Sequence, residues 1–372
     1  MNAANDSLAL VNGRVLTPDG WRDDHAVLIE HGRVAAVAPA HDARLRSMPQ
    51  HDLHGLMLAS GFIDTQVNGG GDVLFNDAPT VESLRTIAQA HRRYGTTGML
   101  PTLISDDVDV MRGILGIHLE GPYLAPARKG VHDVTKFRVP DRTEIELACS
   151  LRNGKTLITL APERLPLDTV REFVARGAIV AAGHTAANYA QTRVALDAGV
   201  CGFTHLYNAM TPLTNREPGA VGAALDDRTS WCGVIVDGHH VHPAALRVAL
   251  AAKPRGKLFL VTDAMPPVGG QCNSFRIRGE IATARDGLLA TADGTLAGSV
   301  LDMAQAVRNT VEWLGVPLDE ALRMASGYPA DFIGLGRSHG RIAPGYAADL
   351  VALDESLQVR ATWIGGVIED QG

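Results

Sequence analysis

The fold is decided by the stretch Ile179-Val-Ala-Ala-Gly-His-Thr-Ala-Ala-Asn-Tyr-Ala-Gln-Thr-Arg-Val-Ala-Leu-Asp-Ala-Gly-Val-Cys-Gly-Phe-Thr-His205. A short apolar run ends at one histidine, an amphipathic stretch over 188–199 closes on a glycine, and a second short run ends at another histidine. Strand, helix and strand in that rhythm form the repeating unit of a parallel sheet covered by helices. Outward in both directions the rhythm continues. Apolar runs stand at 62–67, 98–103, 116–119, 156–161, 179–182, 202–204, 232–236 and 258–262, with further amphipathic stretches at 81–94, 167–176 and 243–252. Eight such runs predict an α/β chain folded as a (β/α)8 TIM barrel. Only about a dozen residues separate the second run from the third. That is near the minimum for a parallel return, so the helix there is expected to be short or irregular.

The flanks have a different character. Residues 1–57 hold short strand-like runs at 8–11, 26–30 and 33–38, punctuated by the turn signals Asn12-Gly13, Asp19-Gly20 and His31-Gly32. The tail from 340 repeats that pattern, with apolar runs at 348–353 and 362–368. The expected organisation is a small β-sandwich domain built from 1–57 and 340–372 around a barrel of 58–339. An insert near 269–297, with turns at Asp286-Gly287 and Asp293-Gly294, is expected to leave the barrel as a β-arm.

Bulk properties exclude more than they identify. With 372 residues, 46% hydrophobic and 20% charged, the chain can bury a large core and stay soluble. A formal charge of -7 argues against nucleic-acid or acidic-membrane partners but leaves room for a local pocket that takes a phosphorylated metabolite. Cys149, Cys201, Cys232 and Cys272 lie far apart with no CxxC pair, which suits free thiols in a reducing compartment. No basic start followed by a long apolar run occurs, nor any apolar stretch of about 18 residues. A cytoplasmic protein is expected.

The chemistry shows in position. Glu120 follows the third run, His184 the fifth, His205 the sixth, the pair His239-His240 the seventh and Asp263 the eighth. In TIM barrels the carboxyl ends of the strands build the active site. A single histidine there is commonly a structural hydrogen-bonder, but here that reading has to hold several times over. A Glu and two His meeting at a barrel mouth supply three ligands and leave one position for water, as a catalytic zinc site requires. An ion so held acidifies water and polarises a carbonyl, and Asp263 is then the natural proton carrier.

The segments His118-Leu-Glu-Gly-Pro122, Ala182-Gly-His-Thr185, Thr204-His-Leu-Tyr-Asn-Ala-Met210, Arg216-Glu-Pro-Gly219, Asp237-Gly-His-His240, Val261-Thr-Asp-Ala264 and Leu296-Ala-Gly-Ser299 stand in the order of a known motif set. Together they resemble the N-acetylglucosamine-6-phosphate deacetylases of the amidohydrolase superfamily, over about 60–299. The segment 340–350 resembles that superfamily's returning β segment. The resemblance implies metal ligation by Glu120, His184 and His205, Asp263 as general base and then acid, and His132 on the substrate's acyl carbonyl. It assigns phosphate and sugar contacts to Asn208, the backbone of Ala209, Arg216 and His240, with Val131, Leu296, Ala297 and Gly298 lining the sugar. Arginine's planar fork suits phosphate oxygens. The resemblance also implies a homodimer, in which this arginine can reach across the interface. The loop 125–132 is a candidate cover for the site.

One departure bears on metal count. Many amidohydrolases carry His-x-His at the end of the first strand, whereas this chain has Gln66-Val-Asn68. Neutral amides are weak ligands for a divalent transition metal. A single ion is therefore expected, with zinc first and iron, cobalt or manganese also compatible. Gln66 and Asn68 are left to hydrogen-bond the catalytic water or Asp263. The implied reaction is deacetylation of N-acetylglucosamine 6-phosphate. The alternatives are the galacto epimer of that sugar, another superfamily N-acyl or cyclic-amide hydrolase, and a barrel that has lost catalysis.

Overall fold

Eight strands follow one another around the barrel in chain order: Phe62–Val67, Thr96–Ile104, Ile117–Glu120, Thr156–Leu160, Ile179–Ala182, Gly202–Phe203, Trp231–Val234 and Leu258–Leu260. From the second strand onward each pairs in parallel with the next. The ring closes where Val67 bridges Ala264 in parallel, with the Asp263 N–H donating to the Gln66 carbonyl at 3.0 Å and the Asn68 N–H to the Ala264 carbonyl at 2.9 Å. This computed structural model describes residues 7–104, 116–152 and 154–369, so the short crossover at 105–115 lies outside the described residues. Each strand matches an apolar run because the wall is buried on both faces; all six residues of Phe62–Val67 are buried.

Helices Val81–Arg92, Leu167–Ala175, Tyr189–Asp197 and Pro243–Ala252 coincide with the amphipathic stretches. Tyr189–Asp197 starts at Asn188 through a reciprocal cap. Asn188 accepts the Gln191 N–H at 2.8 Å, and the Gln191 side chain accepts the Asn188 N–H at 3.0 Å. Two further helices carry no amphipathic signature. Arg142–Ala148 is only seven residues long, and Gly219–Asp226 is buried along nearly its whole length. A three-stranded antiparallel sheet, here called the arm, is formed by Ser274–Ile277, Glu280–Arg285 and Leu288–Ala290. Ile277, Ala282, Leu289 and Ala297 pack there against Leu74, Ile104 and Met265.

Contacts divide the chain into two compact units. One comprises Thr65–Ala90 and Met99–Asp302; the other comprises Met1–Asp64, His91–Gly98 and Met303–Gly372. The second unit groups the last three helices, Met303–Leu314, Leu318–Ala325 and Gly327–Phe332, with the β segments from both chain ends. Its sheet is continuous, in the order Val367–Glu369, Val359–Ile364, Leu350–Leu353, Met57–Ser60, Ser7–Thr17, Gly20–Glu30 and Arg33–Pro39, and Gln50–Asp52 pairs alongside Ser7–Thr17. Both faces of this sheet are covered. Val27 and Ile29 join the cluster around Trp363, while their alternating neighbours Ala26 and Leu28 pack with Leu45 on the other face.

One turn expected from the sequence is not a turn. Asn12-Gly13 lies inside the eleven-residue strand Ser7–Thr17, where the register shifts twice and Asn12 takes φ 58°. The pair makes a β-bulge, and Gly13 fits there because a Cβ would lie 2.9 Å from the Leu56 carbonyl oxygen as well as against the Leu53 side chain.

Candidate metal and catalytic site

The barrel mouth gathers polar side chains that the strands deliver one by one. Glu120 is the last residue of its strand, and His184, His205 and Asp263 each follow a strand within three residues. All three of these take left-handed backbone, with φ of 47°, 34° and 54°. Such backbone costs an ordinary L residue about 1–3 kcal/mol and persists only where the surroundings impose it. Hydrogen bonds do so here. Ala125 donates to the His184 carbonyl at 3.0 Å, Leu206 donates to the Gly233 carbonyl at 2.8 Å, and Ser299 donates to the Asp263 carbonyl at 2.9 Å.

Three donor atoms converge. His205 Nε2 lies 3.0 Å from Glu120 Oε1 and 3.1 Å from His184 Nε2, and His184 Nε2 lies 3.4 Å from the same carboxylate oxygen. Every side chain involved is buried. His184 Nδ1 donates to the Arg128 carbonyl at 2.7 Å, which leaves its Nε2 lone pair aimed at the cluster. Two imidazole nitrogens and a carboxylate oxygen this close suit a divalent cation, which would satisfy all three lone pairs at once. Burial pushes the Glu120 carboxyl up, but the adjoining His184 and His205 imidazoles outweigh it and hold the group well below the usual carboxylate range. The fit is therefore good on both geometry and charge.

Asp263 faces a different environment. Asn68 Nδ2 donates to its Oδ1 at 2.6 Å, and Gln66 Nε2 donates to the same oxygen at 3.1 Å. Gln66 Nε2 also reaches Glu120 Oε1 at 3.1 Å, so one amide ties the two carboxylates together. Burial and then the nearby Glu120 charge raise the Asp263 pKa, against the opposing pull of His205, His240 and Asn68. A carboxylate pushed toward neutrality beside one held ionised is the pattern of a proton carrier next to a ligand. The Asn68 Oδ1 atom is buried and has no hydrogen-bond partner among the described residues.

A cavity of about 580 Å³ opens over this cluster. His132 stands in its wall, 4.4 Å from the His184 ring between centroids; burial, and then the proximity of His184, drive its pKa well below the ordinary histidine value. Val131, Asn208, Ala209, His240, Leu296 and Gly298 all line the cavity. Ala297, between the last two, turns instead into the arm's core. Asp237 orients His240, accepting its N–H at 2.8 Å and meeting its Nδ1 at 2.6 Å. His239 lies outside the lining, against the Gly287 turn. Arg216 is exposed on the loop after the sixth strand and does not line the cavity of its own chain. Residues 126–132 form one wall of the cavity, and Arg278 ties the loop to the arm through Asp133 at 3.6 Å.

Several contributors were not legible in the sequence. Ile104 and Met265 supply apolar wall. The Ile104 position follows from register, since it pairs directly with Glu120. The Arg128 carbonyl carried no signal at all, because a backbone oxygen has no residue-type signature. Asp237 was readable as the start of the Asp-Gly-His-His turn, but only the fold shows which histidine it holds.

A barrel with a Glu/His/His cluster and a buried aspartate at its mouth defines a hydrolase scaffold, and the sequence comparisons agree. The family model described as "Amidohydrolase family" matches residues 57–368, and the chain belongs to that family. The chain is 42% identical to an N-acetylgalactosamine-6-phosphate deacetylase from Shewanella sp. (strain ANA-3), over 98% of this chain and 97% of that protein. It is 34% identical to an N-acetylglucosamine-6-phosphate deacetylase from Haemophilus influenzae, over 96% and 98%. The crystal structure of N-acetylglucosamine-6-phosphate deacetylase from Pasteurella multocida superposes with a TM-score of 0.93 at 34% identity, covering 98% of this chain and 99% of that one. The resemblance drawn from the ordered motifs is thus found along nearly the whole chain. No helix among the described residues is long and apolar enough to cross a membrane.

Proposed function

We propose that this protein hydrolyses the acetamide of N-acetylglucosamine 6-phosphate to glucosamine 6-phosphate and acetate. The observation that carries the reading is the placement of Asp263: it lines the cavity beside the Glu120, His184 and His205 donors, with both amide hydrogen bonds on Oδ1. Oδ2 is then the oxygen available to a water in the cavity.

Glu120, His184 and His205 would hold a divalent cation, which would supply Lewis acidity toward a water and the acetyl carbonyl. The protein's own groups do the rest. Asp263 takes the proton of the attacking water and later returns it to the departing nitrogen, so that one carboxylate serves as base and then acid. His132, held neutral, donates a hydrogen bond to the acyl oxygen as negative charge develops there. Gln66 and Asn68 fix Asp263 so that little reorientation is needed during the reaction. Zinc is the proposed metal, one per chain.

In the same cavity Asn208, the Ala209 backbone and His240 are the proposed phosphate and sugar contacts, with Val131 and 296–298 beside the ring. Arg216, exposed and outside the lining of its own chain's cavity, is proposed to complete the phosphate site of a second copy in a homodimer. The barrel, taken as 58–339, is the proposed catalytic domain of a cytoplasmic enzyme of amino-sugar metabolism.

A second reading, the galacto epimer as preferred substrate, is favoured by one observation: identity to the Shewanella protein is 42%, against 34% to the Haemophilus protein. Acetate release from both N-acetylhexosamine 6-phosphates, with unphosphorylated N-acetylglucosamine in parallel, tests both readings. Release from phosphorylated sugars alone is expected, and the faster epimer names the substrate. Equal or absent release from all three would remove the proposed substrate class.

A further inference from the structure

Glu163 lines no part of the cavity, and the reaction gives it no task. It sits in the single 3-10 turn Pro162–Arg164, just past the fourth barrel strand. Its carboxylate reaches the segment immediately behind His184. Oε2 accepts the Thr185 hydroxyl at 2.6 Å, and Oε1 accepts the Ala186 N–H at 2.6 Å.

Thr185 is fully buried and passes this hold on in two directions. Its Oγ1 accepts the Ala187 N–H at 3.0 Å, and its own N–H donates to the Ala209 carbonyl at 3.0 Å. The carbonyl of the same peptide group, that of His184, accepts the Ala125 N–H at 3.0 Å, and just before His184 the Gly183 N–H donates to the Leu160 carbonyl at 3.1 Å. A histidine at φ 47° has no intrinsic preference for that backbone, so the hydrogen bonds before and after it must define it. Three consecutive N–H groups follow His184, and one is satisfied by Glu163 directly and one by the Thr185 hydroxyl that Glu163 orients. The two donors use different oxygens of the carboxylate, an arrangement that an amide, with a single oxygen, does not reproduce.

We infer that Glu163 is a positioning residue that sets His184 as a metal ligand and, through Thr185, fixes the Ala209 backbone in the cavity wall. This rests on the metal reading given above. Groups that orient ligands from behind in this way are worth about 10–100-fold in metal affinity.

The test is cobalt binding by the full-length protein. Parent, Glu163→Ala, Glu163→Gln and Asp72→Ala are stripped of metal and titrated with Co²⁺, reading the dissociation constant and the visible absorption bands, with thermal melting alongside. Asp72 is the control, because its carboxylate likewise holds two backbone N–H groups, those of Gln271 and Cys272, but at the root of the arm. Glu163→Ala is expected to weaken Co²⁺ binding about 10–100-fold and to alter the bands, Glu163→Gln to do so less, and Asp72→Ala to leave both as in the parent. A folded Glu163→Ala with parental affinity and bands overturns the inference. If that variant does not fold, parental behaviour of Glu163→Gln overturns it instead. Equal weakening in Asp72→Ala overturns it too, since the effect would be general loosening. A parent that binds no Co²⁺ overturns the metal reading and this inference with it, an outcome distinct from the others.

Discussion

Asn68 Nδ2 lies 2.6 Å from Asp263 Oδ1, the shortest of the hydrogen bonds that fix this carboxylate at the barrel mouth. The contact joins the end of the first strand to the end of the eighth, and it forms at the point where the barrel closes. Substituting Asp263→Asn keeps the shape and removes the proton carrier. Turnover is expected to fall about 10²–10⁴-fold while metal content stays at the parental level. Steady-state kinetics beside elemental analysis would check this, and retained turnover would take Asp263 out of the mechanism.

Metal removal should abolish activity reversibly. Dialysis against a chelator is expected to leave a folded, inactive protein that regains activity with Zn²⁺ or Co²⁺ at one ion per chain. The single site follows from Gln66 and Asn68, whose amides are committed to Glu120 and Asp263 and are poor ligands in any case. Two ions per active chain, measured by elemental analysis, would contradict the assignment.

Arg216 makes a prediction about partnership. A group lost from the site of its own chain cannot be replaced by a partner, whereas a group that serves the neighbour's site can be supplied by an intact partner. Arg216→Ala and Asp263→Asn, each nearly inactive alone, are expected to regain roughly a quarter of parental activity when refolded as a mixture, because half the pairs are hybrids with one intact site. No recovery would place Arg216 outside the neighbour's site.

Acid stability offers a prediction away from the catalytic centre. Burial pushes the Asp227 carboxyl up, yet hydrogen bonds from the Ser230 N–H, from the Thr229 hydroxyl and N–H, and from Arg193 overcome this and lower its pKa. A carboxylate lowered by folding stabilises the fold at any pH above its unfolded value of about 3.9, and that contribution is lost as the pH falls below it. Asp227→Asn should therefore lower the melting temperature at pH 7 by more than at pH 3. Equal losses across melts between pH 3 and 7 would assign the effect to packing alone.

How much of this was legible follows from what each residue advertises. The barrel strands were readable because burial on both faces leaves an uninterrupted apolar run. Gly219–Asp226 was not, because a helix surrounded by protein has no polar face to give it a period. Asn12-Gly13 reads as a turn in any local window, and only the register shifts in its antiparallel pairing with Gly20–Glu30 make it a bulge. In the site, Glu120, His184, His205 and Asp263 stood out because each stands at the carboxyl end of an apolar run. Glu163 and the Arg128 carbonyl act between loops far apart in sequence, so no spacing reveals them.

The sheet that unites the two chain ends has a consequence for synthesis. Met57–Ser60 pairs on one edge with Ser7–Thr17 and on the other with Leu350–Leu353. On the ribosome the first edge finds its partner at once, while the second waits for roughly 290 further residues, about 15–60 s at ordinary elongation rates. During that interval an apolar strand edge stands open to any other extended chain. The nascent protein is thus most exposed to mispairing while its catalytic barrel is being made, and a ribosome that stalls before residue 350 releases a chain with that edge still unpaired.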